Sequence, residues 1–194
     1  MRSFVAPSLV TDLAIPGETL ALAPYEGVVA EAIKIAKYRP SRRTALRLAE
    51  LAAAVAGPPW SVAAPDVFIP VPLHVEREAA RGFNQAWLYA LAVARVWNKP
   101  GSRALVRIKA TRPQAECSED ERATNLAGAF ALAQGLRPEA FGGLRLCLVD
   151  DVVTTGATLA ACRNALLALR PRSVVALTLA HPPRLHPRME EPGR

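Results

Sequence analysis

The apolar positions of this chain alternate between unbroken runs and helical spacings, and the sharpest change from one to the other falls in residues 144–159, LRLCLVDDVVTTGATL. Leu146, Cys147, Leu148 and Val149 run without interruption into Asp150 and Asp151, and Gly142-Gly143 precedes them. A continuous run of this kind predicts a strand buried on both faces of a parallel sheet. Past the turn, Leu159, Cys162, Leu166 and Leu169 recur at three, four and three residues, which is helical spacing. Pro171 stops that helix, and residues 173–180 (SVVALTLA) predict the next buried strand. The unit is strand–loop–helix–strand. Its loop lies at the carboxyl end of a strand, where open α/β sheets bind ligands.

Upstream the pattern is weaker. Residues 1–24 show no clear periodicity and hold three prolines, so they predict an irregular arm. Residues 25–38 place Val29, Ile33 and Ala36 on one helical face, and residues 42–56 predict a second helix with Leu46, Leu48, Leu51 and Val55 apolar. Gly57-Pro58-Pro59 ends it. These two helices would form a small cap over the site. Residues 67–73 (VFIPVPL) predict a short strand that must end or turn at Pro70 and Pro72, which lack ladder donors. In residues 74–85, HVEREAARGFNQ, Arg77 and Arg81 are four apart and share a helical face, while Gly82 permits a bend or a close ligand. Asn84 can cap a helix over 84–97, whose Trp87, Leu88 and Leu91 read as core. Residues 105–108 (LVRI) predict a strand, followed by a polar, acid-rich stretch through Glu121.

Composition bounds this picture without changing it. The 194 residues suit one main domain, and no apolar run approaches the roughly 20 residues of a membrane span. The first residues, broken by Pro7, Asp12 and Pro16, make a poor signal peptide, which points to the cytoplasm. The formal net charge of +7 favours an anionic partner, either a small phosphorylated ligand or nucleic acid. Cys117, Cys147 and Cys162 lack zinc or disulfide spacing, and the last two lie on apolar faces as buried thiols.

Candidate chemistry concentrates after the first strand. Thr154, Thr155 and Thr158 offer hydroxyls, Gly156 lets backbone approach closely, and the free N–H groups of the coming helix point at the same place. That cradle suits a phosphate monoester. Asp150 and Asp151 would repel a phosphate, so they call for ribose hydroxyls, a divalent cation or both.

The stretch closely resembles the binding loop of type I phosphoribosyltransferases, an apolar strand, two acids and a Thr/Gly-rich turn. The resemblance implies an α/β fold with a central, mostly parallel sheet flanked by helices and a small N-terminal helical cap. It also implies binding of phosphoribosyl pyrophosphate (PRPP) through Asp150, Asp151, Val153, Thr154, Thr155, Gly156, Ala157 and Thr158. Mg²⁺ would arrive with PRPP, with Asp150 and Asp151 as the acids nearest it.

Two further segments resemble the ComF family, the competence-associated branch of these proteins: PVPLH followed by an arginine and RGFNQ, then T-x-x-Q and R-x-x-N-x-x-G-A-F. By this resemblance Arg77, Arg81 and Gly82 face the pyrophosphate, Arg81 joins Asp150 and Asp151 as a catalytic candidate, and Thr111, Gln114, Arg122 and Asn125 belong to a lid. Cys117 stands where a leucine is expected. Many ComF proteins begin with a cysteine-based zinc module; all three cysteines here lie downstream, so no zinc is expected. The implied division is 1–60 as arm and cap, 61–181 as the phosphoribosyltransferase-like domain and 182–194 as a flexible basic tail. The implied function is a PRPP-binding protein in DNA uptake, with single-stranded DNA and a helicase-like competence protein as partners. A nucleobase-salvage transferase and a non-catalytic PRPP sensor that binds single-stranded DNA stay open beside it, and whether the chain turns PRPP over is open with them.

Overall fold

A computed structural model describes residues 8–10, 18–38, 41–56, 64–109, 126 and 128–182. Five strands form the main sheet: β1 (Ser8–Val10), β2 (Thr19–Pro24), β3 (Val67–Pro70), β6 (Arg145–Val152) and β7 (Ser173–His181), in the order β1-β2-β7-β6-β3. β2, β7, β6 and β3 are mutually parallel, and β1 pairs antiparallel to β2 at the edge. A separate antiparallel pair joins β4 (Leu105–Arg107) to β5 (Phe130–Leu132). The α/β fold with a mostly parallel sheet flanked by helices is thus the fold that the resemblance implies, and it contains the strand–loop–helix–strand unit that the apolar runs predict.

β6 and β7 are central because their side chains are apolar on both faces, and alternation sorts them into two cores. Cys147, Val149, Val175, Leu177 and Leu179 face α1 (Gly27–Tyr38), α2 (Arg42–Val55) and α4 (Gln85–Val96). Leu146, Leu148, Val174 and Ala176 face α5 (Ala157–Leu166) and the β4–β5 pair. Leu159, Cys162, Leu166 and Leu169, the residues at helical spacing, are all buried there. Both Cys147 and Cys162 are buried free thiols.

Three expectations are corrected. The stretch up to residue 24, read as an irregular arm, contains β1 and β2, and β2 is an interior strand beside β7. Its TLALAP sequence has small residues where a strand usually shows β-branched ones, so its stability comes from the parallel ladder with β7. Tyr25 N donates to His181 O at 2.7 Å, which prolongs that ladder and delays the helix to Gly27. In α2 the buried face is Ala45, Leu48, Ala49, Ala52 and Ala53, while Leu46 and Leu51 are exposed. Small residues here let α2 pack closely on α4, whose own contact face carries Ala86, Ala90 and Ala94. In α4 the fully buried aromatic is Tyr89, with Trp87 and Leu88 half-buried and Leu91 exposed. Trp87 packs against the core, stacks under Arg103 at 5.1 Å and, with Leu91, closes over Gly101, where a Cβ would stand 3.2 and 3.1 Å from them.

α1 and α2 lie along the sheet face beside α4, and the last turn of α1 brings Lys37 to the acid pair. β3 stops at Pro70 as its prolines require. It is followed by α3 (Val75–Arg81), which ends at Gly82 in the left-handed conformation, φ 81°.

Candidate functional site

β6 delivers the acid pair to its carboxyl end, and the two-residue alternation of a strand sends the two side chains to opposite faces of the sheet. Asp150 follows Leu146 and Leu148 toward α5. There it lines an open hollow of ≈ 230 Å³ together with the turn 152–159. Asp151 follows Cys147 and Val149 toward α1 and α4, where it is 5% exposed. Its two oxygens are both engaged. Lys37 Nζ stands 2.9 Å from Oδ1, and Gln85 Nε2 donates to Oδ2 at 2.9 Å.

The turn leads directly into a helix start. Gly156 has φ 82°, a conformation that glycine adopts without a Cβ penalty, and α5 starts at the next residue. Thr155 Oγ1 accepts from Ala157 N at 3.4 Å, and Ala160 N closes the first helical turn on Gly156 O. Thr154 is exposed, whereas Thr155, Ala157 and Thr158 are half-buried around the hollow. Val153 contributes backbone to the same wall; its side chain is buried in the α5 core and its N–H is taken by Ala180 O at 3.1 Å.

The RGFNQ segment becomes a set of braces. Asn84 Oδ1 caps α4 by accepting from Ala86 N at 2.9 Å, while its amide donates to Val71 O at 3.0 Å. Val71 N in turn donates to Val149 O, so the loop after β3 is fixed against β6. Arg81 Nη1 donates to Gln85 Oε1. One continuous chain therefore runs Arg81–Gln85–Asp151–Lys37, joining α3, α4, β6 and α1. Gly82 has open space where a Cβ would stand, so its glycine serves the positive φ and not a close neighbour.

Cations surround the acids. Arg77 is exposed on α3, and its charge reaches both Arg81 and Arg107. Arg107 enters from β4 through a bridge to His74, with Phe130 5.5 Å beneath its guanidinium. Burial, then Arg77, lowers the Arg107 pKa, and burial lowers that of Arg81. Guanidinium keeps its charge through such shifts. Burial works against the charge of Lys37, yet Asp151 and Asp150 hold its pKa above the usual lysine value. Burial and the neighbouring Asp151 push Asp150 up to about 7, against the pull of Lys37 and Arg107. Beneath this network the buried Tyr89 hydroxyl has no partner, and burial next to Asp151 and Asp150 drives its pKa upward.

The structure thus brings together Asp150, Asp151, the turn 153–158, Arg77, Arg81 and Gly82. The lid candidates Thr111, Gln114, Arg122 and Asn125, with Cys117, lie outside the described residues. Four site neighbours escaped the sequence reading: Lys37, Gln85, Tyr89 and Arg107. Gln85 and Arg107 left a trace, as a polar residue beside a helix cap and a charge inside an apolar strand. Lys37 left none, because its partner is distant in sequence.

Among the described residues no group of three or more His, Cys, Asp or Glu side chains could hold a metal ion. Asp150 at the hollow nevertheless fits a Mg²⁺ bound mainly through a ligand's own oxygens, the usual way that ion is carried with polyphosphates.

No family model matches the chain. It is 40% identical to Competence protein F of Haemophilus influenzae over 118 residues, 60% of this chain and 51% of that protein. The chain is similar to Competence protein F over about half of that protein's length. It is also 32% identical over 114 residues to Competence protein ComFC of Bacillus subtilis, covering 58% of this chain and 43% of that one. With DNA utilization protein YhgH of Salmonella typhi the identity is 37% over 107 residues, 53% of this chain and 44% of the other. The chain spans about half the length of the curated relatives it matches. Among solved structures, adenine phosphoribosyltransferase of Leishmania tarentolae aligns over 90% of this chain and 94% of its own. The identity is 12% and the TM-score 0.47.

Proposed function

We propose that this protein binds PRPP together with Mg²⁺ and works in DNA uptake. The observation that carries the reading is the hollow at the start of α5, where Asp150 and the hydroxyl turn meet and the Arg107 charge acts on Asp150. The 5-phosphate would sit on Thr154, Thr155 and Thr158 and the first N–H groups of α5, held by the helix dipole. Asp150 would accept from a ribose hydroxyl. Asp151 would join it by giving up Lys37 or Gln85. Arg77, Arg81 and Arg107 would take the pyrophosphate, whose developing charge such fixed cations stabilise if the bond to the anomeric carbon breaks. Mg²⁺ would neutralise part of that charge. The names of the relatives supply the biological setting, and single-stranded DNA and a helicase-like protein are the partners it suggests. The buried free thiols agree with a reducing, cytoplasmic compartment.

Titration calorimetry with PRPP and Mg²⁺ tests the site. One-site binding by the native chain, weakened at least about tenfold in Asp150→Ala, is the expected result. Absence of binding by the native chain overturns the reading.

Binding without turnover is a second reading, and one observation favours it: Asp151 is already committed to Lys37 and Gln85. Pyrophosphate release measured with a panel of free nucleobases separates the two. Release with any base returns the protein to the salvage class of transferases, and its absence beside tight PRPP binding supports a sensor.

A further inference from the structure

Because the four main strands are parallel, their amino ends share one pole of the molecule, remote from the hollow. From Arg145 to Val152 along β6 the separation is about 23 Å, seven steps at roughly 3.3 Å each. This pole is rich in arginine. Arg145 opens β6 and is in register with Ser173 of β7; Arg172 N donates to Leu144 O at 2.8 Å, and Gly143 N to Arg170 O at 3.0 Å. Arg137 caps the 3-10 turn Pro138–Ala140 at the same corner, where a Cβ on Gly142 would stand 3.7 Å from Glu139 O and 4.0 Å from Leu169 O. Arg137, Arg170 and Arg172 are exposed, and Arg145 is half-buried.

Elsewhere Arg42, Arg43 and Arg95 are exposed without a carboxylate partner among the described residues, whereas Lys34 pairs with Glu31, Arg47 with Glu50 and Arg103 with Glu78. None of the guanidinium groups at this pole is paired in that way among the described residues. Among the described residues the acids that adjoin it are Asp66, Glu139 and, just before β2, Glu18. Asp66 accepts from Arg145 N at 2.9 Å and faces Lys99 at 3.6 Å, so its charge is already answered. Arg170 adds a second, independent sign. It closes the helical segment with φ 51° and ψ 49°, a left-handed position that glycine or asparagine fills without strain. A residue with a Cβ costs roughly 1 kcal/mol or more there. Strain kept at an exposed position points to use of the side chain it presents.

We propose that this pole binds the phosphodiester backbone of nucleic acid through Arg137, Arg145, Arg170 and Arg172. The choice of partner rests on the DNA-uptake reading above; the surface itself rests on the charge and its placement. Guanidinium forks suit phosphate oxygens bidentately, and a backbone running over the strand ends would leave the PRPP hollow free. Both could be occupied together.

The test compares two double variants of equal charge. Arg170→Asn/Arg172→Gln removes charge at the pole and keeps a residue that tolerates the left-handed turn. Arg42→Gln/Arg43→Gln removes the same charge from the start of α2. Fluorescence anisotropy with a labelled oligothymidylate, and with a duplex of equal length, is read from low to moderate salt. The pole variant is expected to lose about tenfold in affinity at low salt and to flatten the log–log salt slope for the single strand by about 1.4, roughly 0.7 per phosphate contact. The α2 variant is expected to stay within about twofold of the native chain, and PRPP binding to stay unchanged in both. A stronger effect on one probe identifies single strands or duplex as the source of the phosphates; either supports the surface. Equal losses in both variants, or an undiminished affinity in the pole variant, overturn it. So does a native chain that binds neither probe, and PRPP binding by that same chain would leave the hollow's reading standing.

Discussion

Asp150 is a carboxylate held where ionisation is unfavourable. Its pKa, about 7, lies above the 3.8 of an unperturbed aspartate because of burial and the adjacent Asp151, with Lys37 and Arg107 pulling the other way and the Cys162 thiol nearby. The folded state therefore binds the proton more tightly than the unfolded one. The stability linked to that proton is fully present below about pH 4 and is lost as the pH rises through about 7. Asp150→Asn removes the ionisation while keeping an oxygen for the Asp151 N–H, which Asp150 Oδ1 now accepts at 2.8 Å. Thermal melts should show the variant more stable than the native chain at pH 8, by on the order of 2 kcal/mol, with the gain gone near pH 4. A gain independent of pH would mean that Asp150 is not the group responsible. Gln85 gives a complementary case. Its amide donates to Asp151 and its carbonyl accepts from Arg81, so Gln85→Leu leaves a buried carboxylate short of a donor. The expected loss is about 1–3 kcal/mol at neutral pH, seen as a fall of several degrees in Tm. An unchanged melt would show that the brace is not formed in solution.

At the scale of elements, what the chain reveals by itself depends on how each element earns its stability. β6, α5 and β7 were legible because their signals are local: an unbroken apolar run, a three-four-three spacing, a proline stop. The turn came with them, since Thr154–Gly156 sits in the connection between two well-marked elements. β2 was not legible, because small residues gave no strand signature and its partner β7 lies far along the chain. α2 is legible as a helix, but only Leu48 of its three leucines is buried, because the close approach to α4 selects alanine. That packing makes a prediction. Ala49→Leu, at a buried position on the α4 side, should overpack the contact and cost about 1–3 kcal/mol. Leu51→Ala, at a position 56% exposed, should fall within about 0.5 kcal/mol of the native chain in denaturant melts. The reverse order would restore the leucine-faced helix.

At the scale of the whole molecule, the acid pair stands on the boundary between the two cores. Asp150 belongs to the α5 side and Asp151 to the α1–α2–α4 side, and the sheet separates them. A ligand read by Asp150 alone would tighten the α5 half. A ligand that also draws on Asp151 must compete with Lys37 and Gln85, and so must act on the last turn of α1 and the first turn of α4. Hydrogen exchange distinguishes the two, because local opening reports each half separately. With PRPP and Mg²⁺ present, amides in the first turn of α5 should slow in either case. If both acids hold the ribose, peptides covering residues 33–38 and 85–90 should change as well, and Lys37→Met should abolish the change in the former while sparing that in α5. If exchange slows at α5 alone, Asp151 stays with its internal partners, and its carboxylate then serves to hold Arg81, through Gln85, in place for the pyrophosphate.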